Sequence, residues 1–188
     1  MWMGKVNRAK QLYCCLYRYS LKQLYGLSYY CVSVVIPING YHPMKKTVAS
    51  LLNQQVQCVL ATLGDKELAL HLMAYAISTD LDEIYLVSLE NTQKVKNMRV
   101  NPNVSCLWDN RTGKNDDHTV GLAMSGFGKV QELTGEPAKS AQRLLLSRNA
   151  TLEKLLAVPN MVIFALQIDR YQWVEGYTRV IIYKPEKS

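Results

Sequence analysis

The stretch from Ile84 to Ser105, IYLVSLENTQKVKNMRVNPNVS, constrains this chain more than any other. A short β-type run ends in Ser88, and a polar turn follows that carries Thr92 and Lys94. A basic helix-like segment, Gln93 to Val100, holds Asn97 and Arg99; Asn101-Pro102-Asn103 closes it, and a second β-type run begins at Val104. The unit is strand, short helix, strand, and the rest of the fold must be built around it. A hydroxyl at a strand end, with a second hydroxyl and a lysine a few residues on, can converge on one phosphate. Lysine supplies a point charge, hydroxyls supply directional donors, and backbone N–H groups at the helix start add to the same anion site. The same residues also read as a solvated basic helix between two strands, and spacing alone does not separate the two.

The flanking sequence is mostly strand-like. Cys58 to Leu63 is a short apolar run stopped by Gly64-Asp65, Leu70 to Ser78 is a second, and Thr79 to Glu83 is a polar break before Ile84. After the helical insertion come Val104 to Asp109, a polar loop from Asn110 to His118, and a longer pattern from Val120 to Leu133. Gly126 and Gly128 interrupt that last pattern and suggest a bulge or a close approach to another surface. Glu136-Pro137 opens a helix whose apolar residues include Ala141, Leu144 and Leu145, and Leu152 to Val158 makes a second, short one. Strands return at Met161 to Ile168, Tyr171 to Glu175 and Arg179 to Tyr183. Short strands around short helices, with no βαβ rhythm, predict a mainly β fold: a closed antiparallel barrel with peripheral helices.

The net charge of +7 suggests a nucleic-acid partner until its distribution is considered. Residues 1–43 carry Lys5, Arg8, Lys10, Arg18 and Lys22 and no acid, whereas the remainder holds 17 basic and 15 acidic side chains. The body is nearly balanced and lacks a general basic footprint, so no nucleic acid is expected there. Residues 1–43 also hold seven of the twelve tyrosines and three of the five cysteines. Met44 then opens an amphipathic helix with Val48, Leu51, Leu52 and Val56 on one face. The N-terminal stretch reads either as translated sequence upstream of a natural start at Met44 or as an extension that packs on the body or a partner. The longest apolar run, Cys31 to Ile38, is far shorter than the ~20 residues of a membrane span. It is stopped by Pro37 and no small-residue cleavage pattern follows, so neither a membrane span nor secretion is expected. Cys58 and Cys106 lie in apolar β-type runs and no Cys-x-x-Cys pair exists, which predicts reduced, structural thiols and a cytoplasmic protein.

Side-chain chemistry is sparse. The three histidines, His42, His71 and His118, are far apart in sequence and match no zinc motif. His71 lies in an apolar run and reads as a core or pocket-lining residue; His118 sits among Asp116 and Asp117 in what is most simply a solvated loop. Gly121, Gly126 and Gly128 have the wrong spacing for a dinucleotide fingerprint. In Asp109-Asn110-Arg111-Thr112, Asp109 can hold Arg111 beside a strand end with its planar fork facing a phosphate or carbonyl, or the same residues form a salt-bridged turn. Trp173 and Tyr171 can cover a planar ring or fill the core.

Taken in order, CVLATLGDKE, HLMAYAIS and IYLVSLENTQKVKNMRVNPNVS resemble the pyridoxamine 5'-phosphate oxidase-like family of FMN-binding split barrels. The later stretches LWDNRTGKNDD, AMSGFGKVQEL and VIFALQIDRYQWVEGYTRV resemble one bacterial and archaeal branch of it, so the likeness runs from about Met44 to Tyr183. The resemblance implies a split-barrel domain over residues 44–188 and a homodimer with FMN at the subunit interface. It also implies FMN-dependent redox chemistry on a small organic substrate. Related split barrels handle haem, which is the alternative. Carried over by position, Ser88, Thr92 and Lys94 would hold the FMN phosphate with Gln93 beside them. Val87 and the strand of His71 and Met73 would line the ribityl chain and ring, while Arg111 and Trp173 are further candidates for flavin contact, Trp173 from the other subunit. The true oxidase has an arginine and a lysine in the strand that aligns with Leu72 to Ile77. Here Leu72 and Ile77 stand in that strand, and no counterpart of the residues that bind pyridoxal phosphate is present. No side chain in the sequence takes the role of a catalytic acid or base.

Overall fold

A computed structural model describes residues 41–65, 67–175 and 179–187. Residues 1–40, which make up nearly all of the N-terminal extension read from the sequence, lie outside the described residues. Helix α1 spans Tyr41–Gln54 and leads into three strands, β1 Gln57–Leu63, β2 Leu68–Ile77 and β3 Glu83–Leu89. Then come α2 Gln93–Val100, β4 Asn103–Asp109, the one-turn helix α3 Asp117–Val120 and β5 Ala123–Leu133. Helix α4 Gly135–Arg148, a 3-10 turn at Ala150–Leu152 and α5 Glu153–Leu156 precede β6 Met161–Glu175 and β7 Arg179–Tyr183.

All the strand pairs are antiparallel and run in the order β3-β2-β1-β4-β5-β6-β7, and β3 also pairs with β6. That last pairing closes six strands into a barrel and leaves β7 on the far half of β6. Closure removes the open edges that an antiparallel sheet of this size would otherwise expose. It is incomplete at one seam. β3 pairs with β2 only from Tyr75↔Leu86 to Ile77↔Ile84, while β2 is paired with β1 from Ala74 down to Leu68. Over residues 68–74, therefore, one edge of β2 has no strand partner among the described residues.

Alternation decides what lies inside. Cys58, Leu60, Met73, Tyr75, Ile84, Leu86, Cys106, Trp108, Met124 and Tyr171 fill the barrel. Tyr75 stacks edge-on against Trp108 at 5.7 Å between ring centroids, and Tyr171 lies 6.0 Å from Trp108 on the other side. A smaller outer core forms where α4 lays Ala141 and Leu145 over Ala76, Val87 and Ile163. The two thiols behave as small hydrophobes: Cys58 and Cys106 are free and buried, with their sulfurs 3.9 Å apart. Arg148, at the end of α4, crosses to the C-terminal end of α1. It donates to the carbonyls of Leu52 and Gln55, and its guanidinium lies 4.6 Å over the Tyr75 ring.

Sequence and structure part at a few boundaries. β6 is one strand, not two, because a register shift opposite Phe127 and Gly128 absorbs Asp169 as an extra residue. A Cβ on Gly128 would sit 1.9 Å from the Gln167 carbonyl oxygen, so the close approach expected at this glycine is real. β5 starts at Ala123, not Val120. The Asp117 carboxylate accepts from the Thr112 and Gly113 backbone N–H groups and folds the preceding loop into α3. Val56 lies past the end of α1 and is 69% exposed, and Leu144 faces solvent on α4, so neither joins the core. Among the described residues no helix is long and apolar enough to cross a membrane.

Candidate functional site

The seam between β2 and β3 is where polar groups gather. Inside the barrel the β1 alternation Cys58, Leu60, Thr62 places one hydroxyl at the end of an apolar column, and Thr62 is fully buried. A buried hydroxyl needs partners. Thr62 Oγ1 accepts from Asn97 Nδ2 at 3.0 Å and lies 3.0 Å from His71 Nε2. Asn97 Oδ1 in turn accepts from Gln93 Nε2 at 2.8 Å. Asn97, 3% exposed, is the residue by which α2 plugs this end of the barrel, with Val95 and Met98 buried beside it. Gly64 makes room for it, since a Cβ there would stand 2.9 Å from Asn97 Oδ1.

The strand end of β3 supplies the second part. Ser88 continues the inward column Ile84, Leu86 and is 5% exposed. Its Oγ lies 3.1 Å from Thr92 Oγ1, and the Thr92 hydroxyl donates back to the Leu89 carbonyl at 2.9 Å. Thr92 is the N-cap of α2, yet its side chain makes no capping bond. The first N–H groups of α2 are thus not taken up by the cap, and they point where an anion would be stabilised by the helix end. Lys94 sits in that first turn. Burial and the Lys94 charge together hold His71 below the ordinary imidazole value, which puts Lys94 within electrostatic reach of His71. Arg99, five residues on, is committed elsewhere: it makes a bidentate pair with Glu132 and a further bond to Glu90.

Ser88, Thr92, Gln93, Lys94 and His71 are therefore brought to one region. Met73 is on the same inward face of β2 but is 5% exposed, within the core. Val87 projects to the opposite face from Ser88 and packs beneath α4, so only its backbone faces the seam. Arg111 follows β4 at the far end of the barrel, where Asp109 accepts from its guanidinium at 2.7 and 3.0 Å. That pairing holds the Asp109 carboxyl below its usual range. Trp173 is level with Met124 and Trp108 on β5 and β4 and is 3% exposed. An open groove of about 370 Å³ between α1 and the Asn110 and Leu122 loop residues lies at the far end too. Among the described residues no group of three His, Cys, Asp or Glu side chains could hold a metal ion.

Thr62 and Asn97 were not picked out by sequence reasoning. Thr62 looks like one residue of an apolar run and Asn97 like the polar face of a basic helix; only a pairing across 35 residues joins them.

No protein-family model and no curated protein matches the chain. Solved structures do. A haem-binding protein from Mycobacterium smegmatis superposes with a TM-score of 0.65 at 18% identity, over 80% of this chain and 60% of that one. A NimC/NimA family protein from Clostridium acetobutylicum gives 0.58 at 15% identity, over 77% of this chain and 94% of the other. A pyridoxinephosphate oxidase family protein related to general stress protein 26, from the same organism, gives 0.58 at 11% identity, over 76% and 94%. The chain thus has the split-barrel fold of the pyridoxamine 5'-phosphate oxidase-like proteins.

Proposed function

We propose that this chain is an FMN-binding split-barrel homodimer that acts as an FMN-dependent oxidoreductase on a small organic substrate. The observation that carries the reading is the anion cradle at the β2–β3 seam: Ser88, Thr92, Lys94 and the uncapped first turn of α2. These groups suit a phosphate, with Gln93 beside them and His71 on the adjoining strand to meet the remainder of the ligand. When bound, FMN would supply the redox chemistry, and the protein would bind it, orient it and exclude competing reactions. Cys58 and Cys106, both free and buried, support a reducing, cytoplasmic setting. We assign this function to residues 44–188, so removing residues 1–43 should leave FMN affinity unchanged.

The dimer reading rests on the outer face of β1 and β2. Leu63↔Leu68, Ala61↔Leu70 and Val59↔Leu72 are opposite pairs, so these six side chains share one face. Leu68, Leu70 and Leu72 are 73, 71 and 65% exposed, and α4 stops short of them. A contiguous apolar face of this kind is the mark of an interface.

Haem is the second reading, favoured by the Mycobacterium smegmatis neighbour and by the partly exposed His71. The absorbance spectrum of the purified protein decides between them. A flavin spectrum with FMN released on denaturation is expected; a Soret band would establish haem, and a colourless protein that takes up neither would end both readings. Within the flavin reading, Lys94→Ala should weaken FMN binding by about tenfold or more, the scale of one charge-assisted hydrogen bond. Lys96→Ala should leave it near wild type, and equal effects would remove Lys94 from the phosphate site.

A further inference from the structure

The hydrogen bonds behind His71 run in one direction. Gln93 Nε2 donates to Asn97 Oδ1, and Asn97 Nδ2 donates to Thr62 Oγ1. Among the described residues, Thr62 Oγ1 has one other partner, His71 Nε2 at 3.0 Å. Thr62 is fully buried, so its hydroxyl proton must find an acceptor, and that acceptor is Nε2. A bare Nε2 places the imidazole proton on Nδ1.

We propose that Gln93, Asn97 and Thr62 are positioning residues that lock His71 in its neutral Nδ1–H tautomer, so that His71 offers the ligand a hydrogen-bond donor and not a charge. Protonating Nε2 would turn it into a donor to Thr62, which already accepts from Asn97, and would strand the Thr62 proton in the barrel. The charged group facing His71 is Lys94 from α2, which also opposes a second cation there; β1 contributes Thr62. The site is divided by chemistry as a result. The anionic end of the ligand goes to Lys94 and the α2 N-terminus, and His71 meets a neutral acceptor such as a ribityl hydroxyl or a ring carbonyl. This assignment rests on the FMN reading; the tautomer itself does not.

The test uses the full chain labelled with nitrogen-15 at histidine, with long-range proton–nitrogen spectra recorded between about pH 5 and 8, where imidazole titrates. His42→Gln and His118→Gln variants assign the His71 signals. Wild type should show the neutral Nδ1–H pattern for His71, with a midpoint below that of an exposed histidine. Asn97→Asp should reverse the chain: the carboxylate accepts from Thr62, Thr62 accepts from Nε2–H, the tautomer switches and the midpoint rises. An Nε2–H pattern in wild type overturns the proposal without any variant, and so does a folded Asn97→Asp protein with an unchanged tautomer. In FMN titrations His71→Gln, which keeps a neutral donor, should bind within about threefold of wild type, and His71→Leu about tenfold or more weaker. Equal losses would overturn the donor role. A wild-type protein that binds no FMN would end the cofactor reading while the tautomer result stands, and bound FMN beside an Nε2–H His71 would end this inference alone.

Discussion

Leu70→Arg should dissociate the proposed dimer while leaving the protomer folded. Leu70 points outward from the middle of β2, 71% exposed, between Leu68 and Leu72 on its own strand and opposite Ala61 on β1. Its side chain makes no contribution to the barrel interior, so the substitution costs the monomer little. A two-fold interface doubles every change. Covering the exposed 71% of two leucines is worth about 2 to 4 kcal/mol at roughly 1.5 to 3 kcal/mol for each fully buried side chain. Losing that burial alone raises the dimer dissociation constant by about 30- to 700-fold, and bringing two like charges together adds to it. Sedimentation equilibrium across a concentration series reads the constant directly, with circular dichroism confirming that the melting transition survives. Val120→Arg is the control, since Val120 is just as exposed, at 69%, but lies on α3 away from the leucine face. Equal dissociation of both variants would show that surface charge alone is responsible. A monomeric wild type, or a Leu70→Arg protein that dimerises like wild type, would refute the assignment of this face.

Other outcomes follow from particular contacts. Gly128→Ala forces a methyl against the Gln167 carbonyl oxygen, so the β5–β6 bulge must open, and the variant should melt several degrees lower or fail to fold. Tyr75→Phe should cost about 1 kcal/mol, a typical net hydrogen bond, because Arg148 still donates to the Leu52 and Gln55 carbonyls that Tyr75 also serves; a urea midpoint checks it. Removing both groups, in Tyr75→Phe with Arg148→Met, should cost more than the sum, since those carbonyls then lose every side-chain donor. Glu132 is held below its usual carboxyl range by the Arg99 side chain. Its folded value is the depressed one, so its contribution is complete above the unfolded value near 4.5 and is lost as pH falls through the folded value. Glu132→Gln should flatten the acid limb of the stability profile below about pH 5, and an unchanged limb would remove this pair as its source.

The barrel was largely legible because its strands carry their own alternation, and because the Ile84–Ser105 unit placed a short helix between two of them. What escaped was whatever depends on register. Asp169 shifts the parity of β6 by one residue, which reads locally as a break between two strands. Thr62 and Asn97 acquire meaning only when β1 and α2 meet, and no local pattern marks a threonine as the polar end of an apolar column. Register also divides the residues carried over from the family resemblance. Val59↔Leu107 sets Asp109 opposite Gln57, five residues along β1 from Thr62, which is roughly 17 Å at the rise of an extended strand. Arg111 lies beyond Asp109 and is tied to it, and an arginine side chain does not span that distance to a phosphate at Ser88. Trp173, level with Trp108 and buried, is nearer the Arg111 end than the α2 end. Within one protomer these two therefore belong to a different part of the wall from Ser88, Thr92 and Lys94. A role for Arg111 or Trp173 at the same ligand requires a second copy to bring it, so it stands or falls with the dimer that Leu70→Arg tests. If dissociation by Leu70→Arg leaves FMN affinity intact, the cradle at Lys94 is sufficient alone and both residues leave the site.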